Sequence, residues 1–548
     1  MASYIQKALA TSLRPIQRSP EFVRIDSLPR RLAPDVPEGW AAQYAKGGVH
    51  RPQQAQSLWE LSQCGGLLCD MALGSGKTLV LLQAGIILKK ERVVLLVPAS
   101  LKAKTQRDLI QYGRDFKVPD KVHIITYESL SLAKNATLLD DLCPDLICGD
   151  EAHKIARHQS TRTKRLRKHH RRYAPHTVWA SGTLITRSIK DAAPLASMAL
   201  GYGSPYPRDY STLDHWSYAV DDGVLFDAEP GVLMEWCQPG EHVREGLRRR
   251  VRDTRGVVGG EATGESACAA SLVFLEAKVK VPKDVKTHLG TLEAKWMLPD
   301  GTLLEDPLST SRAREQLALG YYLRWTWPRG ESEDLRQEWF SARRDWNTAV
   351  YQKLKGRGRL DSPYLCYQAA AAGEWSEPSF GAWAAIKDLC KPETECVWVS
   401  DFAVQAAAKW AQAHKGIVWV DSPDFGARVA ELAGVTYYGG GGDSDPEAED
   451  GSRSCVVSIR AHNSGLNLQR SFGTMLYTSI PRTAKVFDQS IGRAHRPGQP
   501  RDEVLVYLYQ HSPGLKEALA DARSNAKFVK DISARESKLL IGTWVVSS

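Results

Sequence analysis

An apolar segment that breaks into a glycine-rich loop is the feature that most constrains this chain. Residues 66–78 read Gly-Leu-Leu-Cys-Asp-Met-Ala-Leu-Gly-Ser-Gly-Lys-Thr, which predicts a short strand, a tight loop and a helix in direct succession. In such a loop the backbone N–H groups and the helix N-terminus favour phosphate groups. The candidate cradle is Gly74, Ser75 and Gly76, with Lys77 placed to reach the β- and γ-phosphates and Thr78 to ligate Mg²⁺.

A second apolar segment ends in two adjacent carboxylates. Residues 144–153 read Pro-Asp-Leu-Ile-Cys-Gly-Asp-Glu-Ala-His, so Asp150 and Glu151 follow a predicted strand. Asp150 suits a place among the ligands of Mg²⁺, and Glu151 suits orienting and deprotonating an attacking water. Each segment alone is weak evidence, because ordinary loops use the same residues. Together they predict a site that binds ATP and Mg²⁺ and hydrolyses the nucleotide, with Lys77, Asp150 and Glu151 as catalytic residues.

The composition is that of an ordinary globular protein. A chain of 548 residues with 43% hydrophobic and 25% charged residues predicts two or three domains. The longest apolar runs fall well short of 18 residues and the N-terminal segment lacks an apolar leader, which argues against membrane transport and secretion. The ten cysteines form no C-x-x-C pair and several lie inside apolar runs, so we expect reduced core residues of a cytoplasmic protein.

The positive charge is concentrated in one segment. The net charge of +9 is mild for this length, but residues 157–172 carry a dense run of Arg, Lys and His directly after the acidic pair. Such a run is either a solvated helix face or a surface for phosphate backbones, and its position favours the second interpretation. Arg162, Lys164 and Arg165 are the candidate nucleic-acid contacts in this segment.

Short apolar runs alternate with helical patterns in two parts of the chain, which predicts two parallel sheets covered by helices. In the first part the predicted strands are 67–69, 93–97, 122–125, 146–148 and 178–180. In the second part they are 396–400, 417–420, 435–438, 455–459, 475–479 and 504–509. The fold class is therefore α/β. We predict a lead-in segment at 1–45, domains at 46–200 and 391–548 and a mainly helical insertion at 201–390, with a C-terminal helix within 515–540.

The predicted insertion is rich in tryptophan. These residues lie within charged, helix-prone sequence, as at Trp216, Trp236, Trp339 and Trp346. Stacking on nucleic-acid bases is one use for such side chains. Packing of a helical domain is the other use, and it is the one we favour.

The part of the chain that carries the second predicted sheet contains residues 489–499, Gln-Ser-Ile-Gly-Arg-Ala-His-Arg-Pro-Gly-Gln. If the segment is helical, Gln489, Arg493 and Arg496 share one face at i, i+4 and i+7. Two guanidinium groups on one face without a nearby acid are costly unless an anion meets them, and the γ-phosphate of ATP is such an anion. The alternative is a basic helix on the surface, and we favour the first interpretation. An arginine in this role accelerates hydrolysis by about 10³–10⁵. These three residues complete the candidate catalytic set.

These motifs resemble those of the superfamily-two helicases, and most of all those of the Swi/Snf-like double-stranded DNA translocases. Motif II with its sequel at 150–164 and motif VI at 489–499 match that family most closely, and the matches span 50–185 and 395–510. The resemblance implies that Gln54 contacts adenine, and that His153, Ser181 and Thr183 couple hydrolysis to movement. It implies nucleic-acid contacts for a further set of residues, Ser100, Tyr127, Gly465 and Asn467.

The resemblance also implies an architecture and a partner. It predicts two RecA-like domains with helical protrusions between them, in the compact form expected of a prokaryotic or phage motor. The partner implied is DNA, most simply duplex DNA held by its backbone without sequence preference. Two alternatives remain open: an RNA helicase of the Asp-Glu-Ala-His type, and a DNA-binding scaffold gated by nucleotide with little turnover.

Overall fold

A computed structural model describes most of the chain. The described residues are 14–31, 35–71, 75–156, 160–222, 228–260, 268–304, 306–355, 360, 362–440, 445–462, 466–533 and 535–545. None of the helices in these ranges combines the length and the apolar character needed to cross a bilayer.

Strands and helices alternate through the described ranges. The strands are β1 (Leu67–Met71), β2 (Val93–Val97), β3 (His123–Thr126), β4 (Leu146–Gly149), β5 (His176–Ala180), β6 (Val257–Gly260), β7 (Ser271–Ala277), β8 (Tyr321–Thr326), β9 (Glu393–Trp398), β10 (Ile417–Val420), β11 (Tyr437–Tyr438), β12 (Cys455–Ser458), β13 (Thr474–Tyr477), β14 (Glu503–Tyr509) and β15 (Thr543–Val545). The helices are α1 (Pro20–Asp26), α2 (Pro52–Cys64), α3 (Lys77–Ile87), α4 (Lys102–Asp115), α5 (Leu138–Leu142), α6 (Thr161–Tyr173), α7 (Ala193–Leu200), α8 (Tyr210–Val220), α9 (Val243–Arg252), α10 (Lys283–Lys295), α11 (Pro307–Leu317), α12 (Glu333–Lys355), α13 (Pro363–Ala371), α14 (Pro378–Ile386), α15 (Phe402–Ala413), α16 (Pro423–Ala433), α17 (Ile459–His462), α18 (Ala484–Ile491), α19 (Pro513–Ser533) and α20 (Lys538–Ile541).

The first of two compact units contains a six-stranded sheet. This unit comprises Met1–Ala269, Thr483–Gly492 and Asp521–Ile541. Its strand order is β3-β2-β4-β5-β1-β6 and all neighbours are parallel. Successive side chains of a strand pack in two separate cores on opposite faces of the sheet. Leu67 belongs to one core and Leu68 to the other, so both faces of the sheet are covered. The carboxyl ends of parallel strands share one edge, and the loops that follow β1 and β4 therefore meet there.

The second unit comprises Ala270–Arg482, Arg493–Ala520 and Gly542–Ser548. Its seven-stranded sheet has the order β11-β12-β10-β13-β14-β7-β15, again with parallel neighbours throughout. β8 and β9 form a separate antiparallel pair, and the helices α12, α13 and α14 lie between these two strands in the sequence. The α/β class and the two parallel sheets predicted from the sequence are confirmed.

The strand predicted at 396–400 is wrong as part of the parallel sheet. The observed strand β9 begins at Glu393 and pairs antiparallel with β8, so that Leu323 faces Cys396. Its first three residues are exposed, which suits a two-stranded ribbon rather than the middle of a covered sheet. The two large sheets contain three strands that the apolar pattern did not predict, β6 in the first sheet and β7 and β15 in the second.

The tryptophan side chains of both units mostly pack in cores, as favoured from the sequence. In the first unit Phe22 of α1 stacks on Trp236 at 4.8 Å and meets the edge of Trp216. In the second unit Trp339 and Trp346 are the centres of two small clusters among α12, α13 and α14. The segment 1–45, expected to be a lead-in, thus contributes α1 to the core of the first unit.

Asp221, at the end of α8, gives the first unit a pH-dependent stability. Its carboxylate accepts a hydrogen bond from the Ile189 N–H at 2.9 Å, and burial raises its pKa from 3.8 to about 6. Because the folded state binds this proton more tightly than the unfolded chain, the stabilising contribution is full below pH 4 and is lost as the pH rises through 6. We expect the melting temperature of Asp221→Asn, relative to that of wild type, to be higher at pH 7.5 than at pH 4.5. Equal melting-temperature differences at the two pH values would contradict this.

Candidate nucleotide-binding and hydrolysis site

The glycine-rich loop leads from β1 into α3 as predicted from the sequence. Gly76 adopts a left-handed backbone with φ of 80°, which favours glycine, and Lys77 is the first residue of α3. Gln54, near the start of α2, packs on this loop: its Nε2 donates to the Gly76 carbonyl at 3.2 Å. A Cβ at position 76 would overlap the Gln54 amide. Gly74 of the predicted cradle lies outside the described residues.

The Lys77 ammonium is buried beside the end of β1. Its Nζ donates to the Met71 carbonyl at 3.1 Å. Burial lowers the pKa of Lys77, while the charges of Glu151 and Asp150 act in the opposite direction. The lysine of the loop and the acidic pair after β4 therefore belong to one electrostatic cluster at the same edge of the sheet.

Asp150 follows β4 and is held by the backbone around it. Its N–H donates to the Leu96 carbonyl and its Oδ1 accepts the Glu151 N–H, both at 2.9 Å. Burial, reinforced by the charge of Glu151, raises the pKa of Asp150 to about 6. A positive ion beside this carboxylate favours its charged form, so Asp150 suits a metal ligand.

The backbone conformation of Glu151 and the surroundings of its carboxylate are both unusual. It adopts a left-handed conformation with φ of 51°, which a residue with a side chain takes only when the surroundings hold it there. Its Oε2 is buried and makes no hydrogen bond, although the Nδ1 of His153 lies 3.1 Å away. Burial opposes ionisation of Glu151, but His153 and Lys77 outweigh it and hold the pKa of this carboxyl well below its usual range. Glu151 is thus ionised at neutral pH.

The three predicted coupling residues lie together. The His153 Nδ1 is 3.0 Å from the Ser181 Oγ, which also accepts the Thr183 N–H at 3.1 Å. Burial lowers the pKa of His153, so its ring is neutral at pH 7. The imidazole therefore joins the acidic loop after β4 to the loop after β5 through one shared hydroxyl.

Thr78 and Asp150 carry oxygen donors of the kind that Mg²⁺ takes when it accompanies a nucleotide. Thr78 follows Lys77 in the first turn of α3, and together with Asp150 it supplies a hydroxyl and a carboxylate. In the described ranges no three His, Cys, Asp or Glu side chains gather into a metal cage. Mg²⁺ bound together with a nucleotide keeps waters and phosphate oxygens and takes only one or two protein ligands.

The predicted helix face of Gln489, Arg493 and Arg496 is wrong. Helix α18 contains Gln489 but ends at Ile491, because Gly492 caps it and Pro497 cannot continue it. Within the second unit both arginines nevertheless donate to the Leu466 carbonyl, Arg493 at 3.0 Å and Arg496 at 3.4 Å.

The surroundings of Arg496 also differ from the expectation that no acid lies near. The charge of Glu447 acts on the Arg496 guanidinium, although burial remains the larger influence on its pKa and lowers it. The Arg496 Nη1 also donates to the Asn467 side-chain oxygen at 2.6 Å. Asn467, a predicted nucleic-acid residue, is exposed, and Gly465 lies outside the described residues.

The structure does not support nucleic-acid contacts by the side chains of Tyr127 and Arg165. Tyr127 is fully buried and donates its hydroxyl to the Asp150 carbonyl at 2.8 Å. The Arg165 guanidinium is buried and donates to the carbonyls of Leu130 and Leu132.

The other predicted contacts before β5 have more access to solvent. Ser100 is exposed, and Arg162 and Lys164 are half-buried. In α6 the exposed cations are instead Arg167, Lys168, Arg171 and Arg172. The basic segment is therefore divided between a packed face and a solvent face.

Two cations of this site went unnoticed in the sequence. Lys485, half-buried in α18, lies close enough to Glu151 that their charges interact, and burial lowers its pKa to about 7. It precedes Gln489 by four residues, a spacing that could have pointed to it. Arg535, which follows α19, is the second, and nothing in the local sequence distinguishes it from other surface arginines.

Comparison with known proteins gives no relative: no protein-family model matches the chain, and no curated protein sequence matches it.

Proposed function

We propose that this chain is a nucleic-acid-dependent ATPase that moves along or unwinds DNA. The observation that carries the proposal is the burial of Lys77 in one charge cluster with Asp150 and Glu151, at the carboxyl edge of a parallel sheet. A buried lysine at a helix N-terminus beside two buried carboxylates is costly unless the site serves a charged ligand. A nucleoside triphosphate with Mg²⁺ supplies the matching charges.

The proposed chemistry is transfer of the γ-phosphoryl group to water. Lys77 stabilises the negative charge on the phosphates, and the N–H groups at the start of α3 bind their oxygens. Thr78 and Asp150 would hold Mg²⁺, which would supply further positive charge to the phosphates when bound. Water attacks phosphorus, the bond to the bridging oxygen breaks, and ADP and inorganic phosphate leave.

Glu151 is proposed to orient the attacking water. A carboxylate with a depressed pKa is a weak base, but it accepts a hydrogen bond in all conditions near neutrality. Because the transition state of phosphoryl transfer is loose, the rate depends more on the position of the attacking water than on early removal of its proton. The contact with His153 holds this carboxylate in place and connects it to Ser181.

DNA is the proposed partner. The support is the resemblance of residues 150–164 and 489–499 to Swi/Snf-like translocases, together with the exposed cations of α6. Within the same proposal the two parallel sheets are the RecA-like domains of such a motor, Gln54 reads adenine, and the helices from α12 to α14 are the protrusion.

The deciding experiment compares ATP hydrolysis by the purified full chain with duplex DNA, single-stranded DNA, RNA and no polynucleotide. We expect duplex DNA to stimulate turnover most, and the stimulation to fall with salt, because backbone contacts release counterions. Greater stimulation by RNA would favour the RNA helicase. Negligible hydrolysis under all conditions, with DNA binding intact, would favour the nucleotide-gated scaffold. A strand-displacement assay alongside separates unwinding from translocation.

A further inference from the structure

The end of the chain returns to the nucleotide site of the first unit. The Nη2 of Arg535 lies 3.7 Å from the Oδ1 of Asp70, the residue before the last of β1. Asp70 lies just before the segment that contains the candidate phosphate cradle, so Arg535 lies close to the end of β1 from which that segment starts. Burial is the main cause of the lowered pKa of Lys77, and the charge of Arg535 contributes to it.

Arg535 is held in this place from both sides. Before it, Phe528, Val529 and Ile532 of α19 are buried in the core of the first unit. After it, the Ser537 hydroxyl and the Lys538 N–H both donate to the Asp488 Oδ1, at 2.9 Å and 2.8 Å. The guanidinium therefore starts from a backbone anchored within the unit, and its position is not that of a loose chain end.

The ion pair with Asp70 does not engage the N–H donors of the Arg535 guanidinium in a hydrogen bond. A separation of 3.7 Å exceeds a hydrogen bond, and the Asp70 Oδ1 is buried without any hydrogen-bond partner. A guanidinium carries five N–H donors in a planar fork that matches phosphate oxygens. Placing it beside Lys77 costs charge repulsion, which an anionic ligand between the two cations would reverse.

We propose that Arg535 is a further phosphate-binding residue of the ATP site, supplied by the segment after α19. The inference rests on the proposed function, because the phosphate in question is that of the bound nucleotide. The guanidinium lies beside Asp70 without a hydrogen bond to it, and its N–H donors are proposed to bind the triphosphate. The C-terminal segment is thereby part of the nucleotide site rather than only a packing element.

The test measures binding of a fluorescent ATP analogue with Mg²⁺ to the full chain and to three variants. We expect Arg535→Gln to weaken binding by about tenfold to a hundredfold, the usual effect of losing a charged hydrogen bond, with Arg535→Lys between it and wild type. The matched control is Lys527→Gln, which removes an exposed charge from α19 and should leave binding unchanged. Thermal unfolding of each variant shows that it is folded at the assay temperature.

Asp70→Asn separates phosphate binding from a merely structural ion pair. If Arg535 binds phosphate, this variant keeps or gains nucleotide affinity, because a carboxylate near the cradle is removed. If the pair only stabilises the fold, Asp70→Asn and Arg535→Gln lower the melting temperature alike and leave affinity unchanged, which overturns the inference. Should wild type itself fail to bind ATP, the proposed function falls first and this inference with it. Loss of binding in Lys77→Ala but not in Arg535→Gln overturns this inference alone.

Discussion

Replacing Glu151 with glutamine should leave ATP bound but reduce its hydrolysis by about 10²–10⁴, the usual range for losing a group that positions or deprotonates the nucleophile. The amide keeps the size of the side chain and can occupy the same left-handed backbone. It loses the negative charge that His153 and Lys77 stabilise, and an NH2 donor replaces one of the two carboxylate oxygens that can accept from the water. Nucleotide affinity should hold or rise slightly, because a negative charge near the γ-phosphate is removed.

Lys77→Ala provides the contrasting result. Its ammonium is proposed to bind the phosphates in the ground state as well as in the transition state, so this variant should lose both nucleotide binding and turnover. Glu91→Gln is the matched control, since Glu91 is exposed in the same unit. Turnover like that of wild type in either Glu151→Gln or Lys77→Ala would end the assignment of this site as an ATPase. Kinetics at several ATP concentrations, with direct binding measurements, distinguish the two variants.

Arg493→Ala and Arg496→Ala should each cut turnover far more than they weaken ATP binding. An arginine that stabilises charge on the transferred phosphoryl group contributes about 10³–10⁵ to the rate. Both guanidinium groups donate to the Leu466 carbonyl, so they lie close together even though they follow the end of α18. We expect the larger loss at Arg493, which is buried and therefore the more firmly positioned of the two.

The control for these arginines is Arg470→Ala, because Arg470 is exposed in the same unit. Loss of nucleotide affinity with turnover per bound ATP unchanged would show that Arg493 and Arg496 bind rather than catalyse. Melting temperatures of the variants exclude unfolding as the cause, since Arg493 also bonds within its own unit. Arg493→Lys is informative too, as an ammonium keeps the charge but lacks the planar fork.

The sheets could be predicted where strands are apolar and buried on both faces. β2 and β10 match their predicted bounds, because continuous runs such as Val93–Val97 leave no other place for these side chains. β15 could not be predicted, since three residues with exposed ends become a strand only by pairing with β7, more than 250 positions earlier in the chain. Pairing over such a distance is decided by tertiary packing and leaves no local pattern.

The residues of the candidate site likewise divide into those that the local sequence identifies and those that it does not. Lys77, Asp150 and Glu151 could be identified because each directly follows a strand or loop that the pattern reveals. Arg535 could not, because its importance comes from a neighbour far away in the sequence. The helical spacing of Arg493 and Arg496 misled, since a glycine at 492 ends the helix before them. Spacing is reliable only as far as the helix itself extends.

The burial of Phe528, Val529 and Ile532 in the first core has a consequence for biosynthesis. The sheet of this unit is complete once residue 260 has been translated, yet its hydrophobic interior stays open until α19 emerges from the ribosome. During that interval the nascent polypeptide exposes apolar surface that invites chaperones and proteases. We therefore expect a chain that ends before this helix to be degraded rather than to accumulate in a folded form.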